Sequence, residues 1–250
     1  MNSYVYIIII ILLIILIIII LHLSAQYKIY NYANILNKIF IKYCHDPAVF
    51  DPTKFNWTSN FRKNYDRIRG EYLMYSQNHY IPNHNQINKY VASCDTTNSW
   101  KTLYLRAYNK NTHIAKYFPI TMKLINLCPC TLAFFSILKP GAKLSPHVGI
   151  YKGVIRYHLS LIVPKEWNKC YININGIILN WIEGSDIMFD DMFPHYVENN
   201  TNETRVILFL DIKRDFHNIF LNCINTFFLN YVKSNDILNN TINNVNKYLD

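Results

Sequence analysis

The chain has 250 residues, with 25 Lys and Arg against 16 Asp and Glu and a formal net charge of +9. That length sets one domain of ordinary size as the expectation. The cations are dispersed and form no run interleaved with aromatics, which excludes a nucleic-acid groove as the organising function and fits a basic surface facing an anionic membrane.

Residues 4–21 are apolar throughout and contain no charge, Pro or Gly. At about 1.5 Å per residue such a helix spans roughly 27 Å, close to the thickness of a bilayer core. The expectation is therefore a single-pass membrane protein with a transmembrane helix over 4–23. The alternative is a cleaved signal peptide. Leu23-Ser24-Ala25 would serve as its cleavage site, but the basic leading region is missing and the apolar run is long. Lys28, Lys38 and Lys42 follow the run, a bias too small to choose the side of the membrane on which the remainder lies.

Residues 24–45 read as an aromatic, basic juxtamembrane segment with helical character, and 46–57 as an extended lead-in holding Pro47 and Pro52. Helical spacing over 61–75 places Tyr65, Ile68, Tyr72 and Leu73 on one side. Residues 76–99, rich in Asn and His, read as loop. From residue 131 the pattern changes to short strands. Residues 131–138 are an apolar run and 154–163 alternate strictly. Segments 170–174 and 177–181 flank Asn175-Gly176, a strong hairpin signal. Strands at 186–189, 196–197 and 205–212 complete the series. Six or more short strands separated by turns predict a mainly β sandwich or double-sheet jelly roll. Residues 215–231 return to helical spacing and would pack outside the sheets, leaving 216–250 as a C-terminal helix and an Asn-rich tail. The six cysteines (Cys44, Cys94, Cys128, Cys130, Cys170 and Cys223) are scattered. Cys128-Pro129-Cys130 is too tight for paired zinc ligands, and the even count permits disulfides without requiring them.

Two histidines carry the chemistry. His147 follows Ser145-Pro146 and precedes Val148-Gly149; His195 closes Phe189-Asp190-Asp191-Met192-Phe193-Pro194. Brought together by β-structure, they suggest a metal. Ten residues beyond His195, Arg205 opens the apolar strand Val206-Ile207-Leu208-Phe209-Leu210. An unpaired arginine buried there is costly, so it must reach solvent, an acidic side chain or a ligand carboxylate. In 154–163 the period of two puts Arg156, His158 and Ser160 on one face and Ile155, Tyr157, Leu159, Leu161 and Val163 on the other. The polar face is either solvated or lines a cavity, and His147 just upstream favours the cavity. Ser136, inside Phe134-Phe135-Ser136-Ile137-Leu138, is either a satisfied core serine or a hydroxyl for the same anion. No nucleophile elbow, phosphate loop or zinc-protease motif is present.

These residues, in order, resemble the aspartyl/asparaginyl β-hydroxylase family of Fe(II)- and 2-oxoglutarate-dependent dioxygenases. The shared pieces are Ser136 to Gly141, His147-Val148-Gly149, the Arg156-Tyr157-His158 strand ending in Val163-Pro164-Lys165-Glu166, Trp181-Ile182-Glu183-Gly184, the box from Phe189 to His195, and Arg205. The resemblance covers 47–211 and is strongest over 136–211. It implies a double-stranded β-helix (jelly roll) with flanking helices over 46–215. It also implies that His147 and His195 ligate Fe(II), that Ser136 and Arg205 hold the distal carboxylate of 2-oxoglutarate, and that Arg156 and His158 contact that co-substrate. O2 would be the second co-substrate. Most non-haem Fe(II) oxygenases add a carboxylate ligand two residues after the first histidine. Gly149 stands there instead, as the family resemblance leads one to expect, with water completing the shell. Asp190 and Asp191 read as braces of the turn before His195. The expected reaction is hydroxylation of Asp or Asn in a protein substrate. A lipid acyl chain is the alternative, since the same family includes lipid hydroxylases. A membrane-anchored binding protein with a degenerate site is a third reading, opposed by the intact His, His and Arg set. Residues 76–100 and 112–130 would face the substrate.

Overall fold

Side-chain alternation along the strands dictates how this chain layers. The structure, a computed structural model, describes residues 25–87, 94–234, 243, 246 and 247. The apolar run at 4–21, and with it the expected transmembrane helix, lies outside the described residues. Among those residues no helix is long and apolar enough to cross a membrane.

Eleven strands are described: β1 (Val49–Phe50), β2 (Trp100–Ala107), β3 (Lys110–Asn111), β4 (Cys130–Leu138), β5 (Lys143–His147), β6 (Val154–Ile162), β7 (Cys170–Ile174), β8 (Ile177–Asn180), β9 (Asp186–Phe189), β10 (His195–Asn199) and β11 (Arg205–Lys213). They form a seven-stranded sheet of order β1-β9-β6-β11-β4-β2-β3 and a four-stranded sheet of order β5-β10-β7-β8. All pairings are antiparallel. From β4 onward the chain steps between the two sheets, giving β9-β6-β11-β4 opposite β5-β10-β7-β8. That is the strand order of an eight-stranded double-stranded β-helix, so the expected jelly roll is the architecture observed. The β7–β8 hairpin closes at Asn175 and Gly176, whose φ values of 51° and 89° suit a two-residue turn matched to strand twist.

The large sheet is buried on both faces. Val206, Leu208, Leu210 and Ile212 of β11, with Tyr157, Leu159 and Leu161 of β6, point toward a helical layer. That layer is α2 (Thr58–Lys63), α3 (Tyr65–Ser76) and, after the short α4 (His84–Ile87), α5 (Pro119–Ile125). Phe61, Ile68, Tyr72, Phe118 and Ile125 fill the interface. Complete burial of each such side chain is worth about 1.5–3 kcal/mol. The opposite face of the sheet carries Phe134, Leu138, Ile207 and Phe209, which meet Ile172, Ile174 and Val197 of the small sheet. A third cluster joins α1 (Ala25–Tyr43) to α6 (Ile219–Ser234) through Ala33, Phe40, Phe216, Phe228 and Val232.

Three local expectations needed revision. The single helix over 61–75 is two helices, α2 and α3. They part at Asn64, whose side chain donates to the Asn60 carbonyl at 2.8 Å and competes with the backbone ladder. The loop over 76–99 contains α4 and a bridge between Asn83 and Lys101. Strand β2 had no forerunner in the sequence pattern. It is buried on both faces, so period-two alternation does not show in Trp-Lys-Thr-Leu-Tyr-Leu-Arg-Ala.

Candidate active site

Register brings the two histidines together. Antiparallel pairing of β5 with β10 sets His195 directly opposite His147. Their ring centroids lie 4.3 Å apart. Each ring is oriented by its own turn: His147 Nδ1 donates to the Ser145 carbonyl at 2.7 Å and His195 Nδ1 to the Phe193 carbonyl at 2.9 Å. A carbonyl partner requires the proton on Nδ1, so both Nε2 lone pairs remain available as metal ligands. Burial holds both rings neutral. It lowers the pKa of His147 and takes that of His195 down to about 4, with His147 as the second cause. Neutral imidazole is the ligating form. Among the described residues no third His, Cys, Asp or Glu completes a cluster with them.

Ser136, His147, Arg156, His158, His195 and Arg205 all line one cavity of about 210 Å³. Every residue expected to bind metal or co-substrate is therefore at a single place. Ser160 is buried behind them and does not reach the cavity. The most unusual wall is that of Arg205. The residue is 2% exposed, yet among the described residues its Nε has no hydrogen-bond partner and no carboxylate contributes to its electrostatics. Its guanidinium lies over the Trp181 ring at 4.5 Å. Burial lowers its pKa to about 10. Beside it, both ring nitrogens of His158 and Nε1 of Trp181 are buried without partners. Buried donors almost always find acceptors. The neutral His158 ring carries one N–H and one lone pair, so three donors (Arg205 Nε, Trp181 Nε1 and one His158 nitrogen) belong to the cavity wall, and a ligand rich in acceptors such as a dicarboxylate meets that need. Ser136 supplies one more donor: its Oγ accepts from Trp100 Nε1 at 2.9 Å, which leaves the hydroxyl proton free.

Arg156 is placed differently from Arg205. It donates to Asp191 Oδ2 through Nε at 2.8 Å and NH2 at 2.6 Å, and pairs with Asp211 at 3.3 Å. Burial raises the Asp211 carboxyl to about 6 in spite of Arg156. Arg156 thus lines the cavity as a neutralised wall. Asp191 also explains Gly149. A Cβ at residue 149 would sit 2.0 Å from Asp191 Oδ2, and Gly149 N donates to the Asp191 carbonyl at 2.6 Å. The volume in which a third ligand would begin is thus filled by the carboxylate of Asp191, which has one buried oxygen without a hydrogen bond. Asp190 accepts from Met192 N at 3.0 Å and is held by Lys152 and by Arg214 at 2.7 Å. Both aspartates therefore make the bracing contacts expected of them.

Trp100 and Trp181 are site residues that sequence reasoning missed. Trp100 sits on the strand without alternation, and Trp181 enters the sequence reading only as part of the piece from Trp181 to Gly184, with no site role. Trp181 and Arg205 are far apart in sequence and meet only in the fold, so no local sequence signal marks that stack.

A jelly roll thus holds two facing histidines beside an arginine that has no carboxylate partner among the described residues. The profile of the family described as aspartyl/asparaginyl β-hydroxylase matches residues 62–215, and the chain belongs to that family. It is 36% identical over 170 residues to the ornithine lipid ester-linked acyl 2-hydroxylase of Rhizobium tropici, covering 66% of this chain and 60% of that protein. It is 32% identical over 109 residues to human aspartyl/asparaginyl β-hydroxylase, covering 41% of this chain and 14% of that protein. The chain therefore spans less than two thirds of each of these relatives, 60% of the first and 14% of the second. Among solved structures, the cupin domain of an Enterobacter cloacae transcriptional regulator is 16% identical with a TM-score of 0.34, over 47% of this chain and 99% of that one.

Proposed function

We propose that this protein is an Fe(II)- and 2-oxoglutarate-dependent hydroxylase that acts on the acyl chain of a membrane lipid. The observation that carries the cofactor reading is Arg205: a buried guanidinium with no carboxylate partner among the described residues, on the wall of the cavity that holds two neutral histidines. In this reading His147 and His195 hold the metal through Nε2. Arg205 and the Ser136 hydroxyl take the distal carboxylate of 2-oxoglutarate. His158 and Trp181 Nε1 offer the remaining donors. When bound, the metal and co-substrate supply the activation of O2 and the oxidation of a C–H bond. Phe189, Phe209, Ile172 and Val197 keep the cavity apolar between these polar points.

The substrate preference rests on charge. Among the described residues, Arg205 and Arg156 are the two Lys or Arg side chains lining the cavity. The first serves the co-substrate and the second is already paired with Asp191 and Asp211. Among the described residues no free cation is left in the lining for a substrate carboxylate. The rim residues Val148 and Ile150 are exposed and apolar. Both features suit an acyl chain. The ornithine lipid hydroxylase among the relatives supports the same choice. A second reading, hydroxylation of Asp or Asn in a protein, is favoured by the profile that matches residues 62–215.

The test incubates full-length protein with Fe(II), 2-oxoglutarate and O2, and with either a membrane lipid extract or Asp/Asn peptides. Succinate release together with a lipid product heavier by one oxygen is the expected result. The same mass gain on peptides alone would replace the acyl reading with the peptidyl one. No succinate with any substrate would remove the enzyme reading.

A further inference from the structure

The outer face of α6 is apolar. Ile219, Phe220 and Phe227 are 73%, 77% and 70% exposed. Cys223 and Ile224 are also exposed and complete the stripe at helical spacing, while Leu221, Asn225, Phe228 and Val232 face inward. At roughly 150–250 Å² for each aromatic, the stripe leaves on the order of 450 Å² of apolar surface in water, the size at which such a patch marks a contact.

Three further observations identify what meets it. First, α6 lies antiparallel along α1: Phe216 packs on Phe40 at 4.3 Å and Tyr231 on Tyr32 at 6.1 Å. Shortly before α1 begins, the chain carries its uncharged apolar run at 4–21. Second, α1 holds Lys28, Lys38 and Lys42 and α6 holds Lys233, and neither helix contains an Asp or Glu. An apolar stripe on a helix pair with only positive charge is the composition of an interfacial membrane contact with anionic lipid. Third, the loop bordering the cavity rests on these same helices. Asn37 of α1 donates to the Ile150 carbonyl at 2.8 Å, and Tyr151 donates to Asn225 Oδ1 of α6 at 2.9 Å.

We propose that the α6 stripe Ile219-Phe220-Cys223-Ile224-Phe227 inserts into the interface of an anionic lipid bilayer and seats the domain on the membrane. The contact is independent of the chemistry proposed for the cavity. Lysines of both helices meet the lipid headgroups, and the two phenylalanines reach the boundary with the acyl chains.

Cys223 offers a probe inside the stripe. Full-length protein bearing Cys44→Ser and Cys128→Ser is labelled at Cys223 with an environment-sensitive nitrobenzoxadiazole dye. It is incorporated into vesicles of three parts phosphatidylcholine to one part phosphatidylglycerol, with or without lipid carrying a nitroxide near the headgroup. The expected result is a blue-shifted emission, quenched about two-fold or more by the nitroxide lipid and little by iodide in solution. Phe220→Ser/Phe227→Ser, two exposed positions, should cut the nitroxide quenching by about half or more with an unchanged circular dichroism spectrum. Free access of iodide to the dye overturns the proposal. So does a blue shift without nitroxide quenching, which would mean that a second copy or the chain's own apolar run covers the stripe. Undiminished quenching in the double variant overturns it as well.

Discussion

Replacing Arg205 by Met should stabilise the ligand-free protein and, in the same variant, weaken 2-oxoglutarate. Burial takes the arginine from 12.5 to about 10. At 1.36 kcal/mol per pKa unit, holding that charge costs about 3 kcal/mol. Met keeps most of the volume and removes the charge, but it forfeits the stack on Trp181, worth about 1–2 kcal/mol when desolvated. The net gain of about 1–2 kcal/mol corresponds to a rise of roughly 2–8 °C in Tm for a domain of this size. With the co-substrate present the sign reverses. Loss of a charge-assisted carboxylate contact of about 3 kcal/mol raises the apparent KM for 2-oxoglutarate by about 100-fold. Scanning calorimetry of the ligand-free variant and succinate release against 2-oxoglutarate concentration measure the two effects. A lower Tm with an unchanged KM would refute the reasoning, because it would make Arg205 a structural residue whose partner lies in the protein.

Three other outcomes follow from the geometry. His195→Ala should abolish metal-dependent succinate release while leaving the fold intact; full turnover in that variant would remove the histidine pair as the metal site. Gly149→Ala should cost about 2–4 kcal/mol in urea denaturation, because the new Cβ displaces Asp191 from Arg156 and strands a buried charge; an unchanged midpoint would show that Asp191 yields freely. His84 is stacked on Trp100 at 3.8 Å, and burial takes its pKa from 6.5 to about 3. Its neutral ring contributes full stability above pH 6.5, and that contribution is lost as pH falls from 6.5 toward 3, because the unfolded chain binds the proton first. His84→Phe should therefore flatten the acid limb of stability by up to about 1.4 kcal/mol per pH unit in that window; an unaltered slope would count against a buried neutral ring.

Local chemistry made most of the strands legible. Residues 154–163 alternate because β6 has one face on the helical layer and the other on the cavity, and each face imposes its own polarity. Asn175-Gly176 names its turn because few other pairs adopt positive φ twice in succession. Strand β2 was hidden for the opposite reason. With both faces buried, its residues carry no periodic contrast, and Trp100, the partner of Ser136, was hidden with it. The division of the helix at Asn64 depended on a single side chain choosing a carbonyl.

The chain by itself determined which residue types are at the site. Two histidines in turn-and-strand contexts and an arginine heading an apolar strand limit the chemistry, because a buried cation and two imidazoles have few other uses. The tertiary structure decided how those residues are employed. Interstrand register set His147 opposite His195, since pairing across a sheet joins residues far apart in sequence. Read along the chain, both arginines were expected at the co-substrate, Arg205 on its distal carboxylate and Arg156 beside it. Folding supplied Asp191 and Asp211 to Arg156 and only the Trp181 ring to Arg205, so one became a wall and the other was left needing an anion. Electrostatic pairing depends on three-dimensional distance and burial, and neither is written in the order of residues.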